Sequence, residues 1–415
     1  MKIVQINTFP YKATGNIMLG IHRLLTEEGH DSYVVWGRGR DAENDHEIVI
    51  KDDLGVKLHG AYTRLTDRTG FASKPATRKL LAKLDEIQPD IVHLHNIHGY
   101  YINIELLFNY IRSKSIRVVW TLHDCWPVTG HCAYFDMVGC EKWKTGCHDC
   151  EQKGTYPASK LLDSSAWNWD RKWQLFSGLD ITIVTPCVWL KRIINQSFLR
   201  EYPIKVLYNG IDLDVFKPSY TSEKRRKYCP DDKAMVLGVA SEWTERKGLN
   251  DFIRLAEKAP DIQFVVVGLT EEQVKRMPNS IVAIERTSNV QELVELYSVA
   301  DVFLNPTYED NFPTTNIEAL ACGTPIVVYD TGGCPEAVEI GNKTANRIVG
   351  TVVKKKSSSN DDVDSLVACL RQAAEGKQSK IAYCRKAAKA FDMHMRLKEY
   401  TSIYEEQRTA IEMRI

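Results

Sequence analysis

Short apolar runs alternating with longer amphipathic segments, repeated twice along 415 residues, constrain this chain more than any other feature. Apolar runs of that length read as strands buried on both faces, and the helical segments between them are the crossovers a parallel sheet needs. In the first half the runs are KIVQIN (2–7), DSYVVWG (31–37), DIVHLH (90–95), RVVWTLH (117–123) and ITIVTP (181–186). In the second they are MVLGVAS (235–241), IQFVVVG (262–268), SIVAIE (280–285), DVFLNP (301–306) and PIVVYD (325–330). The helical segment NIMLGIHRLLTEEGH closes at Gly29, where a C-cap glycine belongs. The joint falls where Asn-Gly and Lys-Pro punctuate 208–228 and a solvated charge run follows.

The expected fold class is therefore α/β, with two doubly wound Rossmann-like domains facing a central cleft. The first spans 1–207 and carries a Cys-rich insert at 125–150. A linker follows at 208–218, then a second domain at 219–392 and a terminal helix, 393–415, that returns toward the first. In such sheets ligands bind at the carboxyl ends of the strands. The composition, 44% hydrophobic and 26% charged with a formal net charge of zero, is that of a globular protein and argues against nucleic acid as a partner. No apolar run is long enough for a membrane span, and the start MKIVQINTFPYKATGN lacks the features of a signal peptide. Eleven cysteines without a secretory signal suggest a reducing compartment, so a cytoplasmic location is expected.

The segment TYEDNFPTTNIEALACGTPIVVYDTGG (307–333) follows the strand DVFLNP. A helix that begins near Asn316 offers unpaired backbone N–H groups and a partial positive charge, a seat for phosphate. Thr314, Thr315 and Asn316 are small and polar, so a ligand can approach the backbone. Asp310 and Glu318 flank that seat, suited to accept hydrogen bonds from hydroxyls on both sides of a diphosphate, as in a nucleotide sugar. The plainer reading is that Asp310 caps the helix and Glu318 complements its dipole.

The order of motifs resembles the retaining glycosyltransferases of family 4, which have the GT-B fold. Their E-x7-E motif, A-x-A-x-G-x-P-V and Gly-Gly turn match D-x7-E (Asp310, Glu318) followed by ALACGTPIVVYDTGG. The glycine loop at 13–16, PDIVHLHN (89–96), TLHD (121–124), NGID (209–212) and RKG (246–248) extend the likeness over nearly the whole chain. It implies that Asp310 contacts donor-sugar hydroxyls, Glu318 the ribose, and the helix start Thr315–Ile317 the diphosphate, with Arg246 and Lys247 supplying the positive charge. His123 would touch the donor sugar, with Asp124 orienting its ring, and Gly15 would let the backbone approach the diphosphate or the acceptor. No metal or cofactor is implied for the chemistry. Two positions depart from the family: Asp310 replaces its Glu, with Glu309 beside it, and Glu242 stands where its Arg usually lies five residues before the Lys-Gly. The implied reaction moves a sugar from a nucleotide-sugar donor, UDP ahead of GDP, to a glycan or lipid-linked glycan acceptor. A sugar-nucleotide 2-epimerase of the same fold and an inactive nucleotide-sugar-binding protein are the rival readings.

Cys132, Cys140, Cys147 and Cys150 fall within one insert that has few aliphatic residues, and C-x7-C-x6-C-x2-C suits a structural zinc site. Free or redox-active thiols and disulfides are the alternatives. The resemblance extends to a subset of family 4 that builds bacterial surface polysaccharides and has a similar Cys-rich pattern. The aromatics of SSAWNWDRKWQLFSG (164–178) would suit a bilayer interface if the chain is peripheral at the inner face of the membrane, although helical spacing suits packing in their own domain better.

Overall fold

The computed structural model describes residues 1–231, 233–354 and 360–412, and the side chains of all these except 360–362 and 408–412. The chain divides into two units, Met1–Tyr208 with the segment from Arg396 onward, and Asn209–Met395.

The first unit is built on a seven-stranded parallel sheet. Its strands are β1 (Lys2–Asn7), β2 (Asp31–Trp36), β3 (Glu47–Val49), β4 (Ile91–Leu94), β5 (Arg117–Thr121), β6 (Ile181–Thr185) and β7 (Ile204–Val206), in the order β3-β2-β1-β4-β5-β6-β7. The second unit repeats the plan with six strands: β8 (Ala234–Val239), β9 (Ile262–Val267), β10 (Ile281–Ile284), β11 (Val302–Asn305), β12 (Ile326–Tyr329) and β13 (Gly350–Val353). Their order is β10-β9-β8-β11-β12-β13. In each sheet the first strand lies inside, so the order reverses between β1 and β4 and between β8 and β11. Crevices that receive ligands open at the carboxyl ends of such strands.

The apolar runs fill the two cores. Val236, Phe264, Val302, Leu304 and Val327 from the second sheet pack against Phe252. In the first unit Ile3, Ile91, Val119 and Val184 meet Ile21 and Leu25 of the helix Lys12–Glu27. The helix Met393–Glu412 adds Tyr400, Ile403 and Tyr404 to this same cluster. Tyr404 also bonds His93 Nδ1 through its hydroxyl at 2.7 Å, so this fully buried β4 histidine has its partner at the far end of the chain.

The aromatic segment 164–178 forms the helix Ser165–Phe176, and it packs largely within its own unit. Phe176 is fully buried and Trp169 donates its ring N–H to the Trp143 carbonyl at 2.9 Å. Among the described residues no helix is long and apolar enough to cross a membrane.

Candidate functional site

In the second unit the loop after β8 and the loop after β11 are knitted together beside the crevice. Tyr308 donates its amide to the Arg246 carbonyl at 2.8 Å, and Arg246 Nη1 returns to the Glu309 carbonyl at 2.5 Å. Thr307 Oγ1 lies 3.2 Å from the Arg246 carbonyl and 3.1 Å from that of Glu309. Two glycines make this closeness feasible. Gly248 has φ +78°, and a Cβ there would meet the Pro306 carbonyl oxygen at 2.2 Å. Gly332, the first glycine of the Gly-Gly turn, has φ +56°, and its Cβ would meet the Asp310 carbonyl oxygen at 1.8 Å. Neither position tolerates a side chain without moving the loops.

Lys247 Nζ forms an ion pair with Asp310 Oδ2, and both side chains are mostly buried. Glu309, the neighbouring acid, is only 2% exposed. The helix Thr314–Ala321 begins after Pro313, which offers no side-chain cap to its first N–H groups. Glu318 lies one turn into that helix, where Oε1 accepts from the Thr314 hydroxyl at 3.0 Å and Oε2 from the Tyr297 hydroxyl at 2.9 Å. Burial raises the Glu318 carboxyl above its ordinary range against those two hydrogen bonds, although part of the side chain still reaches solvent. Lys247, Asp310, Thr314 and Glu318 thus occupy the end of the sheet where β8 and β11 diverge. Asn316 and Ile317 have fully buried side chains, so Ile317 can offer a ligand only its backbone. Asn316 instead accepts from Asn305 Nδ2 at 2.9 Å, pinning the helix to β11. Glu242, at the position of the missing arginine, is exposed. Sequence reading missed Tyr297, whose hydroxyl fixes Glu318 across 21 residues and carries no motif.

The first unit gathers histidines at the carboxyl ends of β4 and β5. His95 Nδ1 lies 3.1 Å from His123 Nε2 with the rings stacked, and His95 Nε2 is 3.3 Å from Gln5 Oε1. Burial lowers His123 to about 4, against the attraction of Asp124. The expected pairing needs correction here. Asp124 Oδ2 lies 2.8 Å from His98 Nε2 and Oδ1 accepts from the Trp126 amide at 2.9 Å. His95 is in hydrogen-bonding contact with the His123 ring. His98 in turn faces the Tyr156 hydroxyl at 3.1 Å. Gly15 is buried, and a Cβ there would meet the Phe9 carbonyl oxygen at 2.6 Å. Its absence of a side chain therefore lets the first helix pack on the loop that precedes it.

The insert buries Trp126, Val128, Phe135 and Trp143 and adds polar contacts with its surroundings. Lys172, fully enclosed, donates to the Trp126 and Thr129 carbonyls at 2.7 and 2.9 Å and lies 3.4 Å from the centre of the Trp126 ring. Buried His131 pairs with Asp67, whose other oxygen accepts from the Ser164 amide at 2.9 Å. The thiols of Cys132 and Cys150 hydrogen-bond each other, and the Gly130 amide donates to Cys147 Sγ at 3.1 Å. Donation from Cys132 makes Cys150 the more acidic of the two. Among the described residues no group of three or more His, Cys, Asp or Glu is arranged to hold a metal ion. The four cysteines singled out by spacing thus lie in one region without forming the tetrahedral thiolate set.

Comparison with known proteins places these features. The model of Glycosyltransferase Family 4 matches residues 15–215, and that of Glycosyl transferases group 1 matches 221–390. WcaC of Escherichia coli K12, described as a colanic acid biosynthesis glycosyl transferase, is 23% identical over 373 residues, covering 83% of this chain and 87% of the relative. The Campylobacter jejuni N,N'-diacetylbacillosaminyl-diphospho-undecaprenol alpha-1,3-N-acetylgalactosaminyltransferase is 28% identical over 227 residues, 51% of this chain and 58% of the relative. The structure of Anabaena HepE in complex with UDP-glucose superposes with a TM-score of 0.62 at 16% identity, over 98% of this chain and all of that one. The two family models take up all but the ends and the joint, each unit has the parallel sheet of the GT-B fold, and the chain belongs to the family 4 glycosyltransferases, enzymes here of polysaccharide or glycan biosynthesis.

Proposed function

We propose that the chain transfers a sugar, with retention at the anomeric carbon, from a UDP-sugar to a glycan or lipid-linked glycan acceptor at the inner face of a membrane. The observation that carries this reading is the Lys247–Asp310 ion pair beside an uncapped helix start, with Glu318 one turn along the same helix. A diphosphate that binds at Thr314 and Thr315 meets backbone N–H groups and the helix dipole, with Lys247 and Arg246 as the nearby cations. Lys247 then shifts its charge toward phosphate and leaves the Asp310 carboxylate to accept hydroxyls of the donor sugar. Glu318, held by Tyr297 and Thr314, accepts from the ribose.

Negative charge grows on the departing phosphate during transfer, so the cations and the helix start stabilise the transition state more than the ground state. The departing phosphate takes the acceptor proton, and no separate nucleophile enters. His123, neutral at pH 7, is suited to hydrogen-bond an uncharged sugar rather than to deliver a proton. The Anabaena structure was solved with UDP-glucose and the Campylobacter relative is named for a diphospho-undecaprenol acceptor, which favours UDP and a lipid-linked glycan.

Calorimetry with UDP-sugars tests the donor half. Lys247→Ala or Glu318→Ala should each weaken binding by about 1.5–3 kcal/mol, the range for a charged hydrogen bond. Unchanged affinity in both variants places the donor elsewhere, and epimerisation without an acceptor replaces the transferase reading. Structural zinc on Cys132, Cys140, Cys147 and Cys150 is a proposal that their spacing alone supports. Elemental analysis should then find about one zinc per chain, whereas a folded zinc-free protein with four titratable thiols removes it.

A further inference from the structure

The helix Asp53–Thr66 wears its amphipathic faces the wrong way round. Its buried residues are His59, Gly60 and Thr63. His59 is held inside by the Ser73 hydroxyl at 2.8 Å and the Gly70 amide at 3.1 Å. Its leucines point outward, with Leu54 67%, Leu58 61% and Leu65 55% exposed. Lys57, Ala61 and Arg64 complete this outer stripe, at helical spacings that put all six on one side. A second segment extends the stripe. Lys160 donates its amide to the Arg64 carbonyl at 2.7 Å and Leu162 to that of Leu65 at 3.2 Å. This sets Leu161 and Leu162, 65% and 51% exposed, beside the end of the helix.

Single exposed leucines are ordinary, but five on one continuous strip mark a surface that meets something apolar. The strip also holds Lys57, Arg64 and Lys160 and no carboxylate. Two exposed acids flank it, Asp53 at 3.7 Å from Lys51 Nζ and Asp163, which accepts from the Cys150 and Ser165 amides, so the three cations outnumber them. A second copy of the chain fits poorly, because a two-fold contact would set these three cations against their own symmetry mates. Leucines interspersed with cations on a single helix face suit the boundary of a bilayer that carries anionic headgroups.

We infer that the outer face of the Asp53–Thr66 helix, with residues 160–162, docks the first unit onto an anionic lipid surface. The inference rests on the membrane location proposed above and names the surface behind it, while vesicle binding can be read without the transfer reaction. Docking there would bring the enzyme to acceptors held in the bilayer, and it uses leucines rather than the aromatic segment 164–178.

The test is sedimentation of the full chain with phosphatidylcholine vesicles, with and without phosphatidylglycerol, alongside a transfer assay on a water-soluble acceptor. The native protein should pellet with the anionic vesicles and be released by salt. A Leu58→Gln/Leu161→Gln/Leu162→Gln variant should lose vesicle affinity by roughly 100-fold. Lys57→Gln/Arg64→Gln/Lys160→Gln should lose the preference for anionic lipid by a similar factor while keeping the leucines. These positions are exposed, so melting temperature and soluble-acceptor activity should hold, which separates this inference from the transferase reading. Equal pelleting of native and both variant proteins overturns it. So does a native protein that ignores both vesicles, whether it stays monomeric, forms a dimer that the leucine variant splits, or binds an acidic protein instead.

Discussion

Lys247 and Asp310 neutralise each other across 63 residues of sequence. Removing one charge therefore also frees the other. Asp310→Asn keeps the size of the side chain and leaves Lys247 for the diphosphate. It should cut turnover strongly while nucleotide affinity changes little or improves, because the lost interaction acts at the sugar. Glu309 is buried and its carbonyl anchors Arg246 and Thr307, so Glu309→Gln should leave transfer rates close to native provided the fold holds. Initial rates with a competent donor and acceptor decide the matter. A crippled Glu309→Gln beside a mild Asp310→Asn would move the sugar contact to Glu309.

One helix makes buried polar contacts with the insert between β5 and β6. Lys172 projects from Ser165–Phe176 into a closed space and satisfies two carbonyls of the insert's first turn, and burial lowers its pKa to about 7. Asn168 on the same helix binds the Gly130 carbonyl at 2.8 Å. Lys172→Met retains volume and removes the donor to the Thr129 carbonyl, while the Trp126 carbonyl keeps only longer contacts from Thr129. Urea denaturation should show a loss of about 1–3 kcal/mol, the cost of unsatisfied buried polar groups. Limited proteolysis should then cut first within 125–163. Native-like stability and protease resistance would mean that the insert is held by other contacts.

Four histidines of the first unit are buried in their neutral forms. Burial lowers His59 to about 4, His93 to about 3, His123 to about 4 and His95 well below its ordinary value. Each regains an ordinary value near 6.5 on unfolding, so between pH 6.5 and about 4 the unfolded chain binds more protons and stability falls with pH. His131 opposes this. Burial pulls it down, but Asp67 raises it overall, so its contribution is present below pH 6.5 and fades as pH rises through its folded value. Partial burial lowers His22 as well, so five groups against one fix the sign. The urea midpoint at pH 5 should be lower than at pH 7, and His93→Gln should flatten the slope. An equal or higher midpoint at pH 5 would show that carboxyl groups such as Glu318, whose raised pKa favours acid, outweigh the histidines.

Most of the fold was legible in the chain because burial leaves a local record. Ten apolar runs marked ten strands, small polar residues marked the helix start beyond β11, and D-x7-E placed two acids on either side of that start. The edge strands β3, β7 and β13 escaped, since three or four half-exposed residues carry no periodic signal. Partnerships escaped for a different reason. Asp124 finds His98 across 26 residues, Tyr297 finds Glu318 across 21, and Tyr404 finds His93 across 311. No spacing rule links such positions. The inverted face of Asp53–Thr66 belongs to the same class, because a helical period says that one side is apolar but not which side the fold will cover. Sequence by itself determined which residues need burial and which loops end at the crevices. Tertiary structure decided which polar groups meet and which apolar face stays outside, because those depend on the register of strands and helices that contact one another only in the folded chain.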